Sequence, residues 1–248
     1  MLQLETEISY RNPVAIIDGD SILFTSTWGD EMTLGRALDK AERTLEWVMN
    51  ILGCTQYIGY LGGSNEFRKQ VYPDYKANRK KKEKPKYFND VATFMQDQLD
   101  FHRPTDMETD DAVNIARLLV PNSIIVSPDK DLLMLEGIHF NLRTGSLVQT
   151  TKEEAELNFW TSCIVGDSAD GIKALPKAGK VFAERLFADR SEDYRNLVLG
   201  AYVSKYGEYE GIKEFYKNYI CLKILDSKEG FIVPEITSIN NNEGVVLN

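Results

Sequence analysis

Apolar positions along the chain fall into recognisable periods. Between Thr33 and Leu52 they stand at Leu34, Ala37, Leu38, Ala41, Leu45, Val48, Met49 and Leu52, a spacing that predicts an amphipathic helix stopped by Gly53. Pro13 to Asp18 is a compact β-branched run ending in an acid, which reads as a first buried parallel strand, and Gln56 to Leu61 reads as a second. The order strand, helix, strand favours a parallel sheet with crossover helices. Phe88 to Phe101 returns to helical spacing, with Val91, Phe94, Met95 and Leu99 on one face. A further helix opens near Glu108 and carries Val113, Ile115, Ala116, Leu118 and Leu119, ahead of a buried strand at Ser123 to Ser127. Phe140 to Gln149, turning at Thr144 and Gly145, predicts a hairpin at the sheet's edge. Beyond Thr151 helices are expected at Lys152 to Val165, Val181 to Phe187, Tyr194 to Tyr206 and Gly211 to Leu225, with a poorly ordered tail, NNNEGVVLN. The pattern implies an α/β unit over residues 1–150 and a helical region over 151–248, packed as one globular unit.

Composition narrows the chemistry. With 248 residues and 43% apolar content the chain can bury a full core. A net charge of -9 argues against general affinity for nucleic acid, so phosphate contacts must come from local charge patterning. The three cysteines, Cys54, Cys163 and Cys221, are widely spaced with no C-x-x-C pair, which indicates neither a disulfide framework nor a zinc site. The first residues, MLQLETEISYRN, carry no long hydrophobic run, so a soluble protein of a reducing, cytosolic setting is expected. Only His102 and His139 are present, so hydrolytic chemistry must lean on carboxylates and metal.

Carboxylates gather in METDDAVNIARLLVPNSIIVSPDKDLLML, residues 107–135. Glu108, Asp110 and Asp111 open the helix, and Asp129 and Asp131 follow the strand's carboxyl end, where open α/β sheets bind ligands. Acids in a first helical turn also suit the helix dipole, and a D-x-D loop can be merely solvated. Asp18 ends its own strand in the same way. Asp167 and Asp170, in GDSADGIKALPKAGK, would share a face if helical. Downstream, Gly171, Pro176 and Gly179 punctuate a turn flanked by Lys173, Lys177 and Lys180, and a glycine-containing helix-hairpin-helix can present backbone N–H groups to a phosphate. Between Glu66 and Tyr87 the chain concentrates Arg68, Lys69, Lys76, Arg79, Lys80, Lys81, Lys82, Lys84 and Lys86 among Phe67, Tyr72, Tyr75 and Tyr87. That segment reads either as a solvated loop or as cations and rings that grip phosphates and unpaired bases.

In order, VAIIDGD, FRKQVYPDYKANR, ETDDA with VSPDKDL, and GDSADGIKALPKAGK resemble the metal-dependent 5′ nuclease family of flap endonucleases and 5′ to 3′ exonucleases, closest to its bacteriophage members. The resemblance runs from about Val14 to Leu186. It implies an α/β fold with a mostly parallel central sheet flanked by helices, a basic helical arch over residues 64–98, and a carboxy-terminal helix-hairpin-helix. It implies that Asp18, Glu108, Asp110, Asp129, Asp131, Asp167 and Asp170 bind two Mg²⁺ ions, for which Mn²⁺ can substitute, with Asp111 beside them. Lys76 and Arg79 would act on the scissile phosphate. Arg68, Lys69, Tyr75, Lys76, Arg79, Lys80, Lys173, Lys177, Gly179 and Lys180 would contact DNA, and K⁺ could sit at the hairpin. The activity implied is hydrolysis at or near DNA 5′ ends in replication, primer removal or repair. The setting implied is a monomer in the cytoplasm, of the host if phage-encoded, with replication proteins as further partners. One departure stands out: the family usually carries another aspartate at the end of the second strand, where LGGSNEFR places Gly62 or Gly63. A water-mediated metal, compensation by Asp20 or Glu66, or reduced activity would each follow from that loss. It also motivates an alternative, a DNA-structure-binding protein without catalysis; a ribonuclease on a related acidic core is a third reading.

Overall fold

The computed structural model describes residues 12–238 apart from 65, 82, 189–192, 229–233 and 235; the expected disordered tail lies outside the described residues. The chain opens with β1 (Val14–Asp18), α1 (Gly19–Thr27), α2 (Leu34–Leu52) and β2 (Gln56–Tyr60), then α3 (Glu66–Val71), a 3₁₀ turn at Ala77–Lys81, α4 (Phe88–Asp97) and β3 (Phe101–His102). It continues through α5 (Thr109–Leu119), β4 (Ser123–Val126), a 3₁₀ turn at Lys130–Met134, β5 (Gly137–Asn141) and β6 (Ser146–Thr150). The rest is α6 (Lys152–Val165), the short pair β7 (Gly166–Asp167) and β8 (Ile172–Lys173), α7 (Lys180–Leu186), α8 (Tyr194–Tyr206), α9 (Glu208–Leu222) and β9 (Thr237–Ser238).

Among the described residues the main sheet runs β3-β2-β1-β4-β5-β6, parallel except for β6, with β9 antiparallel on β2. All five residues of β1 are buried because helices cover both faces of the sheet. Ala15 and Ile17 face the cluster built with α1, α2 and α4, while Val14 and Ile16 face α5. A third cluster, with Trp160, Tyr202 and Phe215 at its centre, holds α6 to α9 together and reaches Tyr75. The register pairs Asp18 with Tyr60 and Ile17 with Val126, so the carboxyl ends of β1, β2 and β4 open on one edge.

Local rules account for the boundaries. Thr33 caps α2, and Thr151 and Glu154 form a capping box that starts α6 at Lys152, as expected. Two expectations change. The helix expected to reach Phe101 stops at Asp97: the Tyr57 hydroxyl donates to the Leu99 carbonyl at 2.6 Å, and Phe101 and His102 pair with Gly59 and Tyr60 instead. Asp167 and Asp170 do not share a helical face, because β7 and β8 form a ladder whose turn is closed by the Ala169 N–H donating to Asp167 Oδ1 at 2.8 Å. The helix α1 has no counterpart in the sequence reading, since Ile22, Leu23 and Phe24 are contiguous and form no periodic stripe. Among the described residues no helix is long and apolar enough to cross a membrane.

Candidate active site

The acids expected from sequence come from three walls of one cleft. At the end of β1, Asp18 caps α1 through the Asp20 N–H at 3.2 Å, and its Oδ2 accepts the Ser127 hydroxyl at 2.8 Å. Ser127 Oγ in turn accepts the Asp129 N–H at 3.0 Å, and Asp129 Oδ1 accepts the Asp131 N–H at 2.9 Å. The sheet edge thus fixes Asp18, Asp129 and Asp131 in one chain of bonds. The second wall is the start of α5, where Glu108 and Asp111 form a reciprocal capping box and Asp110 follows in the first turn. The third is the β7–β8 turn carrying Asp167 and Asp170. A cavity of about 30 Å³ is lined by Glu108, Asp110, Asp131, Asp167 and Asp170.

Charge is distributed unevenly across the cleft. On one side burial pushes Asp18 up to about 7, reinforced by Asp20 and Asp129, and holds Asp110 well above the carboxylate range, reinforced by Asp18 and Asp129. Burial also raises Asp131 to about 7, with Asp129 and Asp167 adding to the effect. On the other side protein cations neutralise the acids. Lys76 Nζ donates to Glu108 Oε1 at 2.6 Å and lies 3.5 Å from Asp170 Oδ2, and Arg79 pairs with Asp170. The Tyr75 hydroxyl donates to Glu108 Oε2 at 2.8 Å and to Asp170 Oδ2 at 3.2 Å.

The donor set is all oxygen, which fits a hard divalent cation, and burial, with neighbouring carboxylates adding to it, disfavours the ionised forms of Asp18, Asp110 and Asp131 in the protein alone. Among the described residues no group of three or more His, Cys, Asp or Glu side chains stands close enough together to hold a metal ion.

Several expected contacts are placed differently. Arg68, expected to meet DNA, is 2% exposed. Its guanidinium donates to both oxygens of Asp111 at 2.7 Å, to Glu108 at 3.0 Å and to the Lys223 carbonyl at 2.8 Å, so it serves as an internal clamp. Asp111 completes that clamp by accepting the Leu225 N–H at 2.9 Å. Tyr75 is buried and turns its hydroxyl to the acids, so its ring offers no open face for a base. Lys69 is tied to Glu66 at 2.8 Å, and Lys173, Lys177, Gly179 and Lys180 are exposed. The Lys80 side chain lies outside the described residues. Ser127 was missed by sequence reasoning; its signal was a hydroxyl between a buried strand and the D-x-D pair.

The glycine pair after β2 is sterically defined. A Cβ on Gly63 would lie 2.2 Å from the Met107 carbonyl, so no side chain fits there. Gly62 has φ +45°, and the nearest atoms to a Cβ on it would be the end of Arg103 at 2.9 Å and Asp20 Oδ1 at 3.9 Å. Glu66 is exposed, whereas Asp20 faces the site edge.

The raised acids carry a pH signature. Asp18 and Asp131 move from the usual 3.8 to about 7, so the folded chain keeps protons that the unfolded chain releases. The stability this contributes is complete below about pH 4 and is lost as pH rises through about 7. Cation-free protein is expected to melt lower at pH 8 than at pH 5, with added Mn²⁺ restoring stability chiefly at pH 8. A cation effect equal at both values would contradict the site.

No family model matches the chain. An exodeoxyribonuclease of Enterobacteria phage T3 is 28% identical over 196 residues, covering 67% of this chain and 63% of the relative, so the match spans less than two thirds of that protein. The 5′-exonuclease of bacteriophage T5 with bound zinc superposes with a TM-score of 0.64 at 15% identity, covering 84% of this chain and 86% of that one. A bacteriophage T5 flap endonuclease in a pseudo-enzyme–product complex with DNA and metal ions gives 0.64 at 15%, over 86% and 88%. The catalytic core of Rad2 in complex with DNA substrate gives 0.53 at 12%, over 85% and 72%. At such identities the solved structures establish a shared fold: a mostly parallel sheet flanked by helices. The chain is thus similar in sequence to a phage exodeoxyribonuclease and similar in fold to a phage 5′-exonuclease and flap endonuclease.

Proposed function

We propose that this protein hydrolyses phosphodiester bonds at or near DNA 5′ ends with two divalent cations, Mg²⁺ or Mn²⁺, in primer removal or repair. The observation that carries this reading is the convergence of Glu108, Asp110, Asp131, Asp167 and Asp170 on one cavity, with Lys76 and Arg79 at its rim. Bound cations would supply an activated water and stabilisation of the leaving oxygen. The chain's own residues do the rest. Asp18, Glu108, Asp110, Asp129, Asp131, Asp167 and Asp170 would hold the cations, and Ser127 orients Asp18 and Asp129. Lys76 and Arg79 bind and orient the scissile phosphate, exchanging Glu108 and Asp170 for its oxygens. Beside Asp131 a cleft of about 570 Å³ offers Lys130, Asn158, Thr161, Ser162 and Lys180 as polar donors, with Glu184 and an apolar floor of Leu133, Leu157 and Phe187.

The test is a cleavage assay on 5′-labelled flap and blunt duplexes with Mg²⁺, Mn²⁺ or chelator. Release of labelled product only with cation supports the reading, and binding without cleavage under every condition favours the second reading, a non-catalytic DNA-structure-binding protein. That second reading draws on one observation, the absence of a carboxylate at Gly62 and Gly63. Lys76→Ala and Arg79→Ala are each expected to slow single-turnover cleavage of bound DNA by roughly 100-fold, the scale of losing one preorganised donor to developing charge. Unaltered single-turnover rates would remove both residues from the mechanism.

A further inference from the structure

Asp20 ties together three elements at the site, of which two carry acids and the third is the glycine loop after β2. Its Oδ1 accepts the Gly62 N–H at 2.8 Å and its Oδ2 accepts the Thr109 hydroxyl at 3.2 Å. The first partner lies on the loop after β2, and the second sits between Glu108 and Asp110 in the first turn of α5. On its other side the Asp20 N–H donates to Asp18 Oδ1 at 3.2 Å. A single residue therefore links Asp18, through its backbone N–H, to the start of α5 through one carboxylate oxygen and to the loop after β2 through the other. Each oxygen accepts from a neutral donor, and an amide in the same place could accept only one of them. The loop it holds is packed without slack, since the Ser64 N–H donates to the Met107 carbonyl at 2.7 Å and Gly63 has no room for a side chain.

We propose that Asp20 is a positioning residue, which fixes the start of α5 relative to Asp18 and so sets how tightly the carboxylates hold a divalent cation. The inference rests on the nuclease reading above, because it assigns Asp20 a task within that site. Asp20 does so through Thr109 and Gly62, at a point where repulsion among Asp18, Asp110 and Asp129 would otherwise widen the cleft.

The experiment measures Mn²⁺ affinity of the full chain by paramagnetic resonance, alongside steady-state cleavage of flap DNA. Asp20→Asn is expected to weaken Mn²⁺ binding by roughly 10- to 100-fold, the range for lost partners behind metal ligands, and to lower kcat with KM for DNA unchanged. Thr109→Val, which deletes only the hydroxyl, should shift Mn²⁺ affinity in the same direction, and Thr109→Ser should restore it. The Thr109 pair decides the matter if Asp20→Asn does not fold. Wild-type Mn²⁺ affinity in Asp20→Asn and Thr109→Val overturns the proposal, even if their melting temperatures fall. So does a loss in Thr109→Ser as large as in Thr109→Val. If the native chain neither binds Mn²⁺ nor cleaves, the nuclease reading fails and this one with it; if it does both while Asp20→Asn matches it, only the role of Asp20 fails.

Discussion

Asp110→Asn is expected to lower cation-dependent cleavage by on the order of 1,000-fold while leaving DNA affinity largely intact and raising the melting temperature of the cation-free protein. The opposing signs follow from one fact: burial holds Asp110 well above the usual carboxylate range, with Asp18 and Asp129 adding to the effect. An ionised Asp110 therefore strains the fold in the absence of a cation, and a neutral amide of the same size relieves that strain. For a chain of this length each kcal/mol of relief raises the melting temperature by roughly 2–4 °C. Calorimetry at pH 8 without cations, beside a flap-cleavage assay, checks both halves. Wild-type cleavage in the variant would remove Asp110 from the site, and a lower melting temperature would make it a structural group.

Arg68→Ala and Asp111→Ala are each expected to destabilise the fold by about 3–5 kcal/mol, since the first strips buried Asp111 of its charge partner and the second leaves buried Arg68 with Glu108 alone. That is a large part of the total stability of a typical domain, roughly 5–15 kcal/mol. The double variant should cost about as much as either single change, because the two side chains act as one unit. Urea denaturation gives all three values. In the same preparations the dependence of DNA affinity on salt should be unchanged by Arg68→Ala, because a guanidinium bound to Asp111 neutralises no phosphate. Additive losses, or a shallower salt dependence, would return Arg68 to the DNA-contacting surface.

Sequence patterns carried the sheet and most helices because their causes are local. The β-branched run before Asp18 and the capping box before α6 each lie within a few residues of the element they define. The acids were legible for the same reason, since each ends a strand or opens a helix or turn. What connects them was not legible. Ser127 reaches Asp18 across 109 positions and Asp20 reaches Thr109 across 89, distances at which no periodicity exists. Arg68 belongs by sequence to a lysine-rich segment, whereas its partner Asp111 lies 43 residues away and removes it from solvent. The spacing of Asp167 and Asp170 suits a helix or a turn equally, and the Asp167 side chain decides for the turn by accepting the Ala169 N–H.

The contacts of Lys76 and Arg79 with Glu108 and Asp170 make the ion-free site an internal competitor for its own ligands. On the proposed reading, a phosphate that drew off these two side chains would release two carboxylates, so substrate would raise the affinity for cations. By thermodynamic reciprocity cations raise the affinity for substrate by the same factor. On the proposed reading, a chain with a formal charge of -9 would gain selectivity from competition, holding cations weakly without substrate and completing its charge complement at a phosphodiester backbone.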